Sequence, residues 1–210
     1  VLGGYVKVPG MGPSEEVEAS LEPFTYRAAS RPRRLAVILA GVAVNFAVAL
    51  ALFWSYAMWS PQIDVGPTRA ATGSVSLMWE VSHDTVTSLG ELVAGAADYS
   101  KSVADGEVPE QRMVSAVGGA QLTDGLLDQH PSRLLLLAGL FSTSIAVFNL
   151  LPLLPLDGGH AALIVAEGAI ARVRRRPRYR LDPNRFRVAA AAVVVVLLAL
   201  GATSMYIDVL

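Results

Sequence analysis

Asn149-Leu150-Leu151-Pro152-Leu153-Leu154-Pro155-Leu156-Asp157-Gly158-Gly159-His160 places two prolines and a carboxylate where an apolar run ends and another begins. Upstream, Leu134 to Leu156 carries no ionisable side chain over 23 residues, about enough to cross a bilayer as a helix. Downstream, Ala161-Ala162-Leu163-Ile164-Val165-Ala166 resumes the apolar character. Pro152 and Pro155 have no amide hydrogen to give a helix, and Gly158 and Gly159 admit turns that other residues resist. Irregular backbone at membrane depth persists only where protein or a polar cavity surrounds it. Asp157 in such a place reads as a functional residue, because a carboxylate costs too much there to be kept idle.

Two further runs are free of charge, Leu35 to Trp59 and Val188 to Ile207. All three are long enough to span a membrane, whereas a buried helix of a soluble protein seldom needs 25 uncharged residues in a row. The net charge of −1 conceals a strong asymmetry. Of the 17 Lys and Arg residues, 13 lie before the first run or between the second and third, and only Arg69, Lys101, Arg112 and Arg133 lie in segment 60–133. The positive-inside rule then puts the N-terminal segment and the Arg-rich loop in the cytoplasm, and segment 60–133 outside. The arginines at 172–180 act as a topology determinant or anionic-lipid contact rather than a nucleic-acid site, since only Tyr179 offers a stacking surface. With no cysteine, disulfides and thiolate metal sites are excluded.

Smaller features complete the layout. Tyr5-Val6-Lys7-Val8 alternates between Gly and Pro stops, which predicts a strand or half-hairpin. Gly41 and Asn45 share a face of the first span, a pairing suited to close helix approach and interhelical hydrogen bonding. Within 60–133, the extracytoplasmic segment, Val75 to Ala97 carries a partly helical apolar stripe, an amphipathic helix against the membrane or the bundle. His83 on it reads as a surface histidine.

Taken in order, these stretches resemble the site-2 protease family of intramembrane zinc metalloproteases. The likeness is strongest to bacterial, especially actinobacterial, members that cut membrane-anchored anti-sigma factors. Leu2-Gly3-Gly4-Tyr5-Val6-Lys7 resembles the family's membrane-associated β-hairpin, and Ala40-Gly41-Val42-Ala43-Val44-Asn45-Phe46 its second helix, with Val42 in place of a proline. Asn149 through His160 matches the Asn-x-x-Pro…Leu-Asp-Gly-Gly-His signature in register. The resemblance implies an all-α membrane core over 1–210 with spans at about 35–59, 134–154 and 188–208, a broken helix at the motif, and a zinc site between helices near the cytoplasmic side. It implies that Asp157 is the third zinc ligand, and that Asn149 holds the substrate backbone or the developing oxyanion. His160 would sit beside the site without binding the metal, with Gly158, Gly159, Pro152 and Pro155 shaping it. Gly4, Tyr5 and Asn45 would line the substrate's path. The substrate would be a single-span protein in the bilayer of a bacterial cell membrane, and no nucleic acid is involved.

Departures from the pattern matter as well. The family's remaining ligands and general base come from His-Glu-x-x-His on a preceding helix, and His83, His130 and His160 form no such pair. The match starts just after that helix, so an N-terminal truncation is expected, with the 210 residues inactive alone. No PDZ domain is evident in 60–133. Two other readings stay open: a pseudo-protease that binds membrane segments without cutting them, and an ion-coupled transporter, for which internal repeats would be expected.

Overall fold

The computed structural model describes residues 10, 15–95, 130–175, 180–181 and 183–209. Among the described residues there are five α-helices: α1 Arg31–Trp59, α2 Pro67–Ala94, α3 Arg133–Leu150, α4 Asp157–Val173 and α5 Arg187–Val209. Short 3-10 turns at Glu22–Phe24 and Tyr26–Ala28 precede α1, another at Pro183–Phe186 precedes α5, and no strand occurs among the described residues. Among the described residues three helices are long and apolar enough to cross a membrane, namely α1, α3 and α5 over Arg187–Met205.

Local sequence accounts for the ends. Pro32 falls in the first turn of α1, where no amide hydrogen is required, and Pro61 follows its last residues. Pro67 opens α2 in the same way. Hydroxyls inside the apolar helices bond back to their own backbone, Ser55 to the Ala51 carbonyl, Thr143 to Gly139 and Thr203 to Ala199. This satisfies each donor where lipid offers no partner. Outward-facing Val44, Val48, Phe141, Ile145, Val195 and Leu198 suit contact with lipid.

The helices belong to two compact units. Residues 42–150 and 194–210 form one. Its centre is Phe53, fully buried, whose ring occupies the space that a side chain at Gly139 would need. Ser142 Oγ donates to the Asn45 carbonyl at 2.9 Å, tying α3 to α1, and α2 packs along α3. The other unit comprises residues 1–41 and 151–193. It holds the start of α1, all of α4, and the segments around Thr25 and Leu181.

Two expectations need revision. A single helix broken at the motif is not supported: α3 stops at Leu150 and α4 starts at Asp157, with an irregular six-residue connection between them. Pro152 and Pro155 both fall in that connection, where neither could continue α3. The amphipathic helix begins at Pro67 rather than Val75, because proline at the first helical position starts it before the apolar stripe does. The N-terminal hairpin, with Gly4 and Tyr5, lies outside the described residues.

Candidate metal centre and its support

Asp157 is the first residue of α4. Leu156 before it is extended and provides no capping side chain, while the helix dipole there favours a negative group. The half-buried Asp157 carboxylate makes no hydrogen bond or ion pair with any described residue. Opposite it stands Gly41 of α1, at which a Cβ would lie 3.8 Å from Asp157 Oδ2. A glycine there leaves room beside the carboxylate.

The second glycine of Asp-Gly-Gly is fixed by contact. A Cβ on Gly159 would come within 2.6 Å of the Leu153 carbonyl carbon and of the Leu154 nitrogen. Only glycine lets the first turn of α4 press against the connection. The connection folds back by Leu153 and Leu156 donating to the Leu151 and Leu153 carbonyls, and the Leu154–Pro155 peptide is cis. His160 Nδ1 lies 3.1 Å from the Leu156 carbonyl. That oxygen only accepts, so Nδ1 is the donor in this contact. Gly158 is buried in the same turn.

Further along, α4 is bolted to α1 by charge. Arg34 Nη1 donates to Glu167 Oε2 at 2.8 Å, with the side chains 12% and 3% exposed. Glu167 Oε1 accepts the Leu181 amide at 3.2 Å, and the Arg34 guanidinium sits over the Tyr26 ring at 5.1 Å. Arg180 donates to the Arg27 carbonyl, and Arg27 binds Glu22 through both Nε and Nη2. That Arg27 bond holds the Glu22 carboxyl below its ordinary range.

The pairs run in reverse order along the two helices: Gly41 faces Asp157, Arg34 meets Glu167, and Arg31 lies against Gly168. α4 is therefore antiparallel to the start of α1. At about 1.5 Å per residue, Asp157 lies roughly 15 Å along α1 from Arg31. That is about half the thickness of a bilayer's hydrocarbon core.

Of the other residues singled out, Asn149 is half-buried in the last turn of α3 and Asn45 is half-buried in α1. Both belong to the second unit, and neither side-chain amide bonds a described residue. His83 is exposed beside Asp84, and His130 bonds Ser132 with its ring against the Trp59 edge. Sequence reading passed over Arg34 and Glu167. The available signal was a lone carboxylate ending the apolar stretch after His160.

Among the described residues no three His, Asp or Glu side chains converge on one point. The donor chemistry therefore fits one coordination position for a hard or borderline metal, the free Asp157 carboxylate, and the described residues do not make a whole site. In comparison with known proteins, the chain matches a family described as peptidase family M50 over residues 1–200. No curated protein and no solved structure matches the chain.

Proposed function

The chain belongs to peptidase family M50, the site-2-type intramembrane metalloproteases, and on that premise we propose that it serves peptide-bond hydrolysis within the helices of single-span membrane proteins. Anti-sigma factors of a bacterial cell membrane are the substrate class in view. The observation that carries the reading is Asp157: a carboxylate with no partner among the described residues, at the start of a helix and facing a glycine.

In this reading Asp157 would hold zinc through its carboxylate. Zinc bound there would supply Lewis acidity toward the scissile carbonyl and lower the pKa of water. In the family the remaining donors and the general base belong to a His-Glu-x-x-His motif, which these 210 residues do not contain. The Asn149 amide donates to the substrate carbonyl as negative charge develops on its oxygen, a neutral donor that needs no proton transfer. His160, anchored through Nδ1 to the Leu156 carbonyl, orients the turn that carries Asp157. The Arg34–Glu167 pair keeps α4 in register with α1, so that the carboxylate stays opposite Gly41. A substrate helix must unwind to be cut, and the polar groups of Asn149 and Asn45 offer partners for its freed backbone.

The test is cleavage of a single-span reporter by the complete gene product reconstituted in liposomes, before and after metal chelation. Cleavage lost on chelation and restored by zinc supports the reading. Cleavage unaffected by chelation, or reporter binding without cleavage, contradicts it, and the latter would mark a pseudo-protease.

A further inference from the structure

The Glu167 carboxylate of α4 is held at both oxygens, by two different parts of the chain. Oε2 accepts from Arg34 Nη1 of α1 at 2.8 Å, and Oε1 accepts the Leu181 amide at 3.2 Å. Leu181 lies in the segment that returns from α4 towards α5, 14 residues beyond Glu167. Its neighbour Arg180 donates to the Arg27 carbonyl, ahead of α1. Arg27 is itself fixed, through Nε and Nη2 to Glu22 and through Nη1 to the Glu15 carbonyl. The return segment is thus seated on the turns that precede α1, with its amide delivered to a side chain only 3% exposed.

What the second bond adds is direction. A carboxylate gripped by Arg34 alone can swing about that contact, whereas one held at both oxygens cannot. Hydrogen bonds to a charged group are stronger than neutral ones, and water does not readily replace a donor lost from a buried carboxylate. From Glu167 to Asp157 is about 15 Å along α4, at about 1.5 Å per residue. A tilt of α4 by about 5° around Glu167 would then carry the Asp157 carboxylate about 1.3 Å past Gly41. Displacement on that scale can cost on the order of 10²-fold in rate. At the Asp157 end, Gly159 is pressed against Leu153 and Leu154, which ties α4 to its own connection and not to α1.

We propose that the Arg180–Leu181 segment is a clasp, and that the Leu181 amide is a positioning group for Asp157. It locks the Glu167 carboxylate and, through it, the tilt of α4 on α1. The loop between α4 and α5 then does more than carry positive charge, because its far end sets where the candidate metal ligand stands. The consequence for cleavage rests on the protease reading, and the clasp itself does not. A side chain that merely filled space at 181 could be replaced only by one of similar size. An amide that donates is indifferent to its side chain and is lost only to proline.

The test compares Leu181→Pro, which deletes the amide hydrogen, with Leu181→Ala, which keeps it, in the complete gene product. Nitroxide labels on cysteines at the exposed Ala36 of α1 and Ala162 of α4 report the helix pair without reference to activity. Leu181→Ala should keep the parent's narrow distance distribution, and Leu181→Pro should broaden it. Arg180→Gln unseats the segment with the amide retained and should broaden it less, which decides the matter should the proline variant fail to fold. In cleavage of a single-span reporter, Leu181→Pro should lower kcat about 10–100-fold with KM within about twofold of the parent's. Leu181→Ala should stay close to the parent in both. An unchanged distribution in Leu181→Pro and Arg180→Gln, or equal broadening in Leu181→Ala and Leu181→Pro, would overturn the clasp. A broadened distribution with unchanged kcat would overturn the positioning of Asp157. A parent that cleaves nothing would count against the protease reading alone, and the distances would still decide the clasp.

Discussion

Arg34 and Glu167 are 133 residues apart in sequence and form a 2.8 Å ion pair in the interior of the unit that carries Asp157. The pair joins α1 to α4 two turns of α1 away from Gly41. Breaking it by Glu167→Ala or Arg34→Ala leaves a buried charge without its partner, and either change should cost about 3–5 kcal/mol. Replacing both, as Arg34→Met with Glu167→Leu, should cost clearly less than either single change. Equilibrium unfolding in detergent measures all three, and a double variant as unstable as the sum of the singles would refute the pairing.

The two glycines that flank the carboxylate should respond differently. Gly159→Ala forces its new Cβ into the Leu153–Leu154 backbone and should destabilise by about 1–3 kcal/mol with loss of cleavage. Gly41→Ala meets Asp157 at ordinary contact distance and should behave as the parent does. Gly41→Leu should fold yet fill the space beside Asp157, and so lose metal. Thermal melts alongside metal content separate these outcomes.

Asn149→Ala should retain the metal and slow cleavage by roughly 10²–10³-fold if the amide donates to the developing oxyanion. His160→Ala should keep more activity than any change at Asp157, because its Nδ1 is committed to the Leu156 carbonyl. Single-turnover cleavage of a single-span reporter distinguishes slowed chemistry from weakened binding.

Topology can be read directly, since the parent chain has no cysteine to label. Cysteines placed at Asp105 and Pro177 should react from opposite sides of the membrane, with Pro177 cytoplasmic. Both reacting from one side would refute the orientation drawn from the Lys and Arg distribution.

Much of this was legible in the sequence where the signal is local. Long uncharged runs marked α1, α3 and α5 to within a few residues, because lipid imposes length and composition on any helix that crosses it. The motif singled out Asp157 as the candidate metal ligand, because prolines, glycines and a carboxylate fall together there. The early start of α2 was obscured by Thr68, Arg69 and Thr72, whose polarity dilutes the apolar stripe although Pro67 was present as a start signal. What the sequence could not convey is pairing in space. Nothing in the spacing of Arg34 and Glu167, or of Gly41 and Asp157, says that they meet until α4 is laid antiparallel on α1.

The most direct test of the central claim is metal content and cleavage measured together on Asp157→Ala in the complete gene product. The account predicts membrane insertion and a thermal melt close to the parent's, zinc reduced well below one equivalent, and no detectable cleavage of a single-span reporter. Full zinc occupancy with undiminished cleavage in that variant would contradict it.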